Sequence, residues 1–121
     1  MLFRSEHLAA WTPVGAIPVL TRSALRDSRQ VRVASVEALG RIAEAHRDRA
    51  DEIARTMITL LEDPIGLVRH AAVVALKMAA DGLVDLRPAV VEALTAACDD
   101  ANPLVAEEAG IVLELAFATG R

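Results

Sequence analysis

Residues 63–76 read Asp63-Pro64-Ile65-Gly66-Leu67-Val68-Arg69-His70-Ala71-Ala72-Val73-Val74-Ala75-Leu76. Proline cannot continue a helix but suits the start of one, so Asp63-Pro64 closes one element and opens the next. Val68, Ala71, Ala72, Ala75 and Leu76 then follow, with three- and four-residue spacings among them. That spacing gives a helix with a wide apolar face. The stretch is a loop that caps a helix, and the same pattern returns once on either side of it.

A shift of 37 residues brings the copies into register: Val31, Val68 and Val105 fall in one column, and Leu39, Leu76 and Leu113 in another. Ala38, Ala75 and Val112 share a third, and Ser35, Ala72 and Ala109 a fourth. The intervening segments align too, with Ile53 meeting Val90, Met57 meeting Leu94 and Leu61 meeting Cys98. Each unit is therefore a pair of helices. A period of this size marks a stacked array, in which a unit buries its apolar face only against its neighbours.

Asp63-Pro64 followed by Val68-Arg69, Ala71-Ala72 and Ala75-Leu76 resembles the second-helix signature of HEAT repeats. Asp27, Val31-Arg32, Ala34-Ser35 and Ala38-Leu39-Gly40 match it about as well. Asp100, Pro103, Val105, Ala109 and Leu113 match more loosely, because Ala106 stands where the arginine should be. The resemblance covers roughly residues 16–118. It implies an all-α, α-α superhelix (a solenoid) of about three HEAT-like pairs, at about 16–45, 48–80 and 86–118, with residues 1–15 as an N-terminal cap or the remnant of an earlier repeat. It also implies a right-handed superhelix. Such arrays usually serve as protein-binding scaffolds, and a minority bind nucleic acid or carry enzymes.

At 121 residues the chain is one domain by length. A chain of that size buries roughly 65–70% of its unfolded surface, enough for one modest core. Aromatic residues are 2% against 54% hydrophobic residues, so the core must be built from Ala, Val, Leu and Ile. The formal charge of −4 is unevenly placed: residues 1–60 carry nine basic and seven acidic side chains, residues 61–121 four and ten. The acidic half argues against a surface that binds nucleic acid throughout. This polarity could help units stack head to tail, although charge at a solvated surface explains it as well. A single cysteine excludes an internal disulfide, and Cys98, in the Leu61 column, is expected to be a small buried hydrophobe. No apolar run is long enough for a membrane span, and the first residues lack the pattern of a signal peptide, so the cytoplasm is the expected compartment.

In chain order, Ser5–Trp11 can form a short helix that ends at Thr12-Pro13, with Trp11 either a lid over the first pair or a binding anchor. Ile17, Leu20, Ala24 and Leu25 give the first stripe, and Ser28 can cap the helix to about Ala45, with Val31, Ala34, Ser35, Ala38, Leu39 and Ile42 inward. Asp51 and Glu52 sit in the first turn of the next helix, where negative charge suits the dipole. Ile53, Met57, Leu60 and Leu61 are its buried stripe. Gly82 is expected to close the following helix in the left-handed conformation. Val90, Val91, Leu94 and Ala97 point inward from the fifth helix. Asn102-Pro103 opens the sixth, running to about Ala118.

No catalytic constellation stands out, no metal or cofactor is expected, and the chain is read as no enzyme. His7, His46 and His70 have no ligand-type partner at a repeating helical spacing. HEAT-like deoxyhypusine hydroxylases carry paired His-Glu dipeptides, and this chain has none, which rejects that activity. By the resemblance, a helix-start Asp and the following Arg hydrogen-bond between repeats, with Asp27 or Asp63 and Arg69 as the expected ladder and Arg32 in the same column as Arg69. The resemblance also places second helices on the concave side, where the exposed columns hold Val33, His70 and Glu107; Glu37, Val74 and Ile111; Gly40, Lys77 and Glu114. An apolar centre flanked by mixed charge fits a peptide or a helix better than a phosphate backbone, and an ordinary solvated face is the alternative. Val112, Leu115 and Phe117 exceed what one buried face absorbs, so the last helix is expected to be an interaction edge, with a homodimer its simplest form.

The expected function is a non-enzymatic scaffold for protein–protein interaction or oligomerisation. The alternatives are a nucleic-acid-binding module using Arg22, Arg26, Arg29 and Arg32, or an accessory subunit of an enzyme such as a bilin lyase, which rests on fold analogy alone.

Overall fold

The computed structural model describes residues 13–118. The expected helix at Ser5–Trp11, the lid role of Trp11 and most of the N-terminal cap lie outside them. The described residues form six helices: α1 (Ile17–Arg26), α2 (Arg29–Ala45), α3 (Ala50–Leu60), α4 (Gly66–Ala79), α5 (Arg87–Ala97) and α6 (Pro103–Ala116). Single 3-10 turns, Val14–Ala16, Arg47–Arg49 and Ala80–Gly82, precede α1, precede α3 and follow α4. Among the described residues there is no strand, and no helix is long and apolar enough to cross a membrane.

Each odd-numbered helix packs on the even-numbered one that follows it. α2, α4 and α6 also pack on one another in sequence, and so do α1, α3 and α5. The even helices form one row and the odd helices a second, with the core between and within them. Small side chains permit the close approach. A Cβ added to Gly40 would lie 3.1 Å from Ala75 Cα and 3.1 Å from Met78 Sδ, so α2 and α4 nearly touch backbone to backbone there. Gly40 is therefore part of the α2–α4 seam and not of an exposed face. Larger side chains, including Leu39, Ile53, Met57, Leu76 and Leu94, fill the space between the rows.

The register accounts for most burial. Leu39 and Leu76 are fully buried, as are Val68 and Val105. Val31, in the latter column, is instead 41% exposed. Val68 and Val105 each have an even helix packed before their own, whereas among the described residues none precedes α2. Ala34 and Leu25, also expected inward, are exposed.

Several local expectations change. Asn102 caps α6 as expected, its Oδ1 accepting from Leu104 N–H at 2.9 Å. Ser28 makes no side-chain cap; Asp27 Oδ1 accepts from Ser28 N–H at 2.8 Å instead. Gly82 is not in the left-handed region. It is required by crowding, because a Cβ there would lie 2.5 Å from Arg47 O and 2.8 Å from Ala50 Cβ. Cys98 is only half-buried.

Phe117 and Val112 are not an open edge. Val112 is fully buried and Phe117 is 4% exposed. The Arg87 guanidinium sits 4.8 Å from the Phe117 ring centroid, a cation–π contact that covers the ring. Arg87 also donates from Nη1 to Ala80 O at 3.2 Å and from Nη2 to Ala116 O at 3.3 Å, which ties the ends of α4 and α6 to the start of α5.

Candidate interaction face

The even helices are held in register by a repeated Arg–Asp device. Arg32 on α2 pairs through Nη2 with Asp63 Oδ1 before α4. Arg69 on α4 pairs with Asp100 before α6, Nε to Oδ2 at 2.8 Å and Nη2 to Oδ1 at 3.0 Å. Each arginine also donates to a backbone carbonyl, Arg32 Nε to Ala24 O at 2.9 Å and Arg69 Nη1 to Asp63 O at 2.8 Å. Each aspartate shapes its loop as well: Ile65 N–H donates to Asp63 Oδ2 at 2.9 Å, and Asn102 N–H to Asp100 Oδ1 at 2.8 Å. All four side chains are largely buried, where charge-assisted bonds are strong.

The ladder therefore runs from Arg32 to Asp63 and from Arg69 to Asp100. Asp27 takes no part: the column of Asp63 and Asp100 holds Arg26, one residue earlier. The Arg69 hydrogen bond holds the Asp100 carboxyl below the usual carboxylate range, with help from Asn102 N–H and against the cost of burial. The same bond raises Arg69 above its ordinary value.

A second clamp fixes the odd row. Asp51 in the first turn of α3 accepts from Val84, Asp85 and Leu86 N–H groups at 3.1, 3.0 and 3.3 Å, which holds the loop leading into α5. Burial disfavours its charge, but these donors and the nearby Arg55 outweigh it, and the carboxyl titrates below its ordinary value.

With the even row fixed, its outer face is defined. Leu104, Ile111 and Leu115 are spaced seven and four residues apart, so they share one helical stripe on α6. They are 66%, 40% and 70% exposed. One period earlier on α4 stand Leu67, 59% exposed, and the half-buried Val74 and Met78. The same columns on α2 hold Gln30, Glu37 and Arg41, which are polar and exposed. The face is thus a pair of apolar rows beside a polar one.

Helical geometry sets its borders. His70 and Lys77 stand on the α6 side of the α4 row, and His70 Nε2 lies 3.9 Å from Glu108 Oε1. Glu107 and Glu114 line the far side of the α6 row, and both are exposed. Of the expected face residues, His70, Val74, Lys77, Glu107, Ile111 and Glu114 come together here, while Glu37 belongs to the polar row on α2. Leu115, expected on a separate edge, belongs to this face. Leu67, Leu104 and Met78 were not expected; a helical-wheel reading of residues 104, 111 and 115 would have found them.

Arg32 is held by Asp63 and Ala24 O, whereas Arg22, Arg26 and Arg29 are exposed. Among the described residues no group of three His, Cys, Asp or Glu side chains is placed to hold a metal ion.

Comparison of the chain with protein-family models, with curated proteins and with solved structures gives no match.

Proposed function

We propose that this chain is a non-enzymatic protein-interaction scaffold, a HEAT-like right-handed α-solenoid of the cytoplasm whose α4–α6 face takes the apolar side of an amphipathic helix. The observation that carries this reading is the exposed row Leu104–Ile111–Leu115, with the exposed Leu67 and the half-buried Val74 and Met78 one period earlier. Exposed apolar side chains set among charged ones are a common form of protein-binding surface. The 37-residue register, the packing of each pair on the next and the repeated Arg–Asp rung support the solenoid part of the reading.

The border narrows the partner. Lys77 and His70 lie between the rows with Glu108, so charge there is partly balanced. On the outer border Glu107 and Glu114 have no ion-pair partner among the described residues. A helix with leucine-type residues on one side and Lys or Arg along the neighbouring edge matches both features.

Fluorescence anisotropy with a labelled leucine–lysine amphipathic helix tests the reading. The same peptide with glutamate for lysine, and one broken by a central proline, serve as comparisons. Leu115→Asp and Leu104→Asp are expected to weaken binding about tenfold or more each, as for a buried contact residue. Both substitutions add negative charge, so attraction that is merely electrostatic would strengthen. Binding unchanged or improved by them, or equal binding of the glutamate peptide, refutes the proposal.

A further inference from the structure

We infer that the chain self-associates head to tail, the flank of the first helix pair on which no described helix packs stacking on the corresponding flank of the last. The occupant of each flank is a second copy of this chain. Three observations lead there, and all come from comparing the flanks with the seams inside the molecule.

The first is shape. Val31 faces outward although Val68 and Val105, its equivalents, are fully buried by a preceding even helix. At the other end, Gly110 occupies the column of the fully buried Val36 and Val73, and a Cβ there would meet nothing within 4 Å. Leu113, in the column of Leu39 and Leu76, is only half-buried. Among the described residues, one flank thus presents a partly exposed valine and the other an open notch beside a half-buried leucine.

The second is charge. A cleft of about 170 Å³ runs along the α3–α5 seam, with Leu61 and Glu62 on one wall and Ala93, Ala96 and Asp100 on the other. The register carries this seam onto the flanks. Leu61 and Glu62 become Cys98 and Asp99 at the C-terminal end, and Ala93, Ala96 and Asp100 become Val19, Arg22 and Arg26 at the N-terminal end. A seam between copies would therefore set Asp99 against two arginines. Arg22, Arg26 and Asp99 are all exposed, and none has an ion-pair partner among the described residues. Asp27, beside Arg26, is turned to Ser28 N–H.

The third is the ladder. Arg26 stands in the column of Asp63 and Asp100, so an arginine in the column of Arg32 and Arg69 would meet like charge across the junction. That position holds Ala106. The Arg–Asp rung is replaced by a combination that removes the repulsion, and Asp99 supplies the opposite charge one helix away.

A head-to-tail contact joins two different surfaces, so it does not close at two copies. The test is sedimentation velocity of the full chain across a dilution series at low and high salt. The weight-average mass is expected to rise past that of a dimer with concentration and to fall with salt. Arg22→Glu with Arg26→Glu, and separately Asp99→Arg, are each expected to weaken association about tenfold or more. All three sites are exposed, and circular dichroism melts check that the variants stay folded. Mixing the two variants restores opposite charge at every junction and should restore the mass. A wild type that is monomeric throughout, an assembly that stops at a dimer, or a mixture that fails to recover overturns the inference. Leu115→Asp lies on the other face and should leave self-association unchanged, so this result is separate from the peptide experiment.

Discussion

Arg69 and Asp100 meet fork to fork across the α4–α6 junction, with two parallel hydrogen bonds of 2.8 and 3.0 Å between residues 31 positions apart. The same guanidinium holds Asp63 O, so one side chain joins the start of α4 to the start of α6. Arg69→Ala leaves a largely buried carboxylate without its partner and should cost about 3 kcal/mol. Asp100→Asn should cost less, since it keeps an acceptor and removes the charge. In urea melts the double variant should fall short of the sum of the singles. Additive losses would mean that the pair contributes no coupling.

The two lowered carboxyls set an acid limit. Asp100 and Asp51 both titrate below their ordinary value of 3.8 when folded. A group whose folded pKa is depressed binds protons more readily in the unfolded chain, so its stabilisation is full above the unfolded pKa and is lost as pH falls through the folded one. Stability should therefore be flat from neutral pH down to about 5 as far as these groups are concerned, then fall below about pH 4. Asp51→Asn should lower stability at neutral pH and shrink that acid-dependent loss. Thermal melts from neutral pH to pH 3 measure it, and an acid slope identical to wild type would show that Asp51 is not the source.

Much of the fold was legible because burial follows a fixed register. The even helices begin and end within two residues of the stretches expected from their caps and periodicity. The ladder was half legible. Pairing a helix-start Asp with the Arg that follows pointed to Asp27 or Asp63 with Arg69, whereas Arg32 and Arg69 reach forward to the Asp of the next pair. The signal was present: Asp63 follows Arg32, and Asp100 follows Arg69, by the same 31 residues. Val31 misled because a column predicts burial only where a neighbour exists on both sides. Gly82 misled because turn preference says nothing of a carbonyl from another loop.

Gly82→Ala should destabilise by roughly 1–3 kcal/mol, the usual effect of overpacking. The nearest atoms are backbone and a buried Ala50 Cβ, so neither can swing aside as a long side chain would. If crowding is the cause, Gly82→Ser costs at least as much. A neutral or stabilising alanine, measured by urea denaturation, would mean that the Arg47–Arg49 turn moves away freely.

Leu76→Ala should cost roughly 2–5 kcal/mol, as for other buried leucines. Leu76 is fully buried in the middle pair, and α4 packs on both α2 and α6. The loss should appear as one cooperative shift in denaturation midpoint. A change under about 1 kcal/mol would contradict the packing described.

Phe117 and Leu115 lie two residues apart and should behave oppositely. Phe117 shares its column with the buried alanines Ala43 and Ala80, and the larger ring is accommodated under Arg87. Counting apolar residues along α6 made both look like an open edge; placing them by column separates them. Phe117→Ala should cost about 3–5 kcal/mol, from lost burial and a residual cavity. Arg87→Ala should cost less, since its ring contact is worth about 0.5–2 kcal/mol beyond its two carbonyl bonds. Leu115→Asp should change stability by no more than about 0.5 kcal/mol, because its side chain is 70% exposed. Chemical denaturation of the three variants decides it. A tolerant Phe117 or a costly Leu115 would mean that the end of α6 packs differently, and the apolar face assigned to Leu104, Ile111 and Leu115 would fall with it.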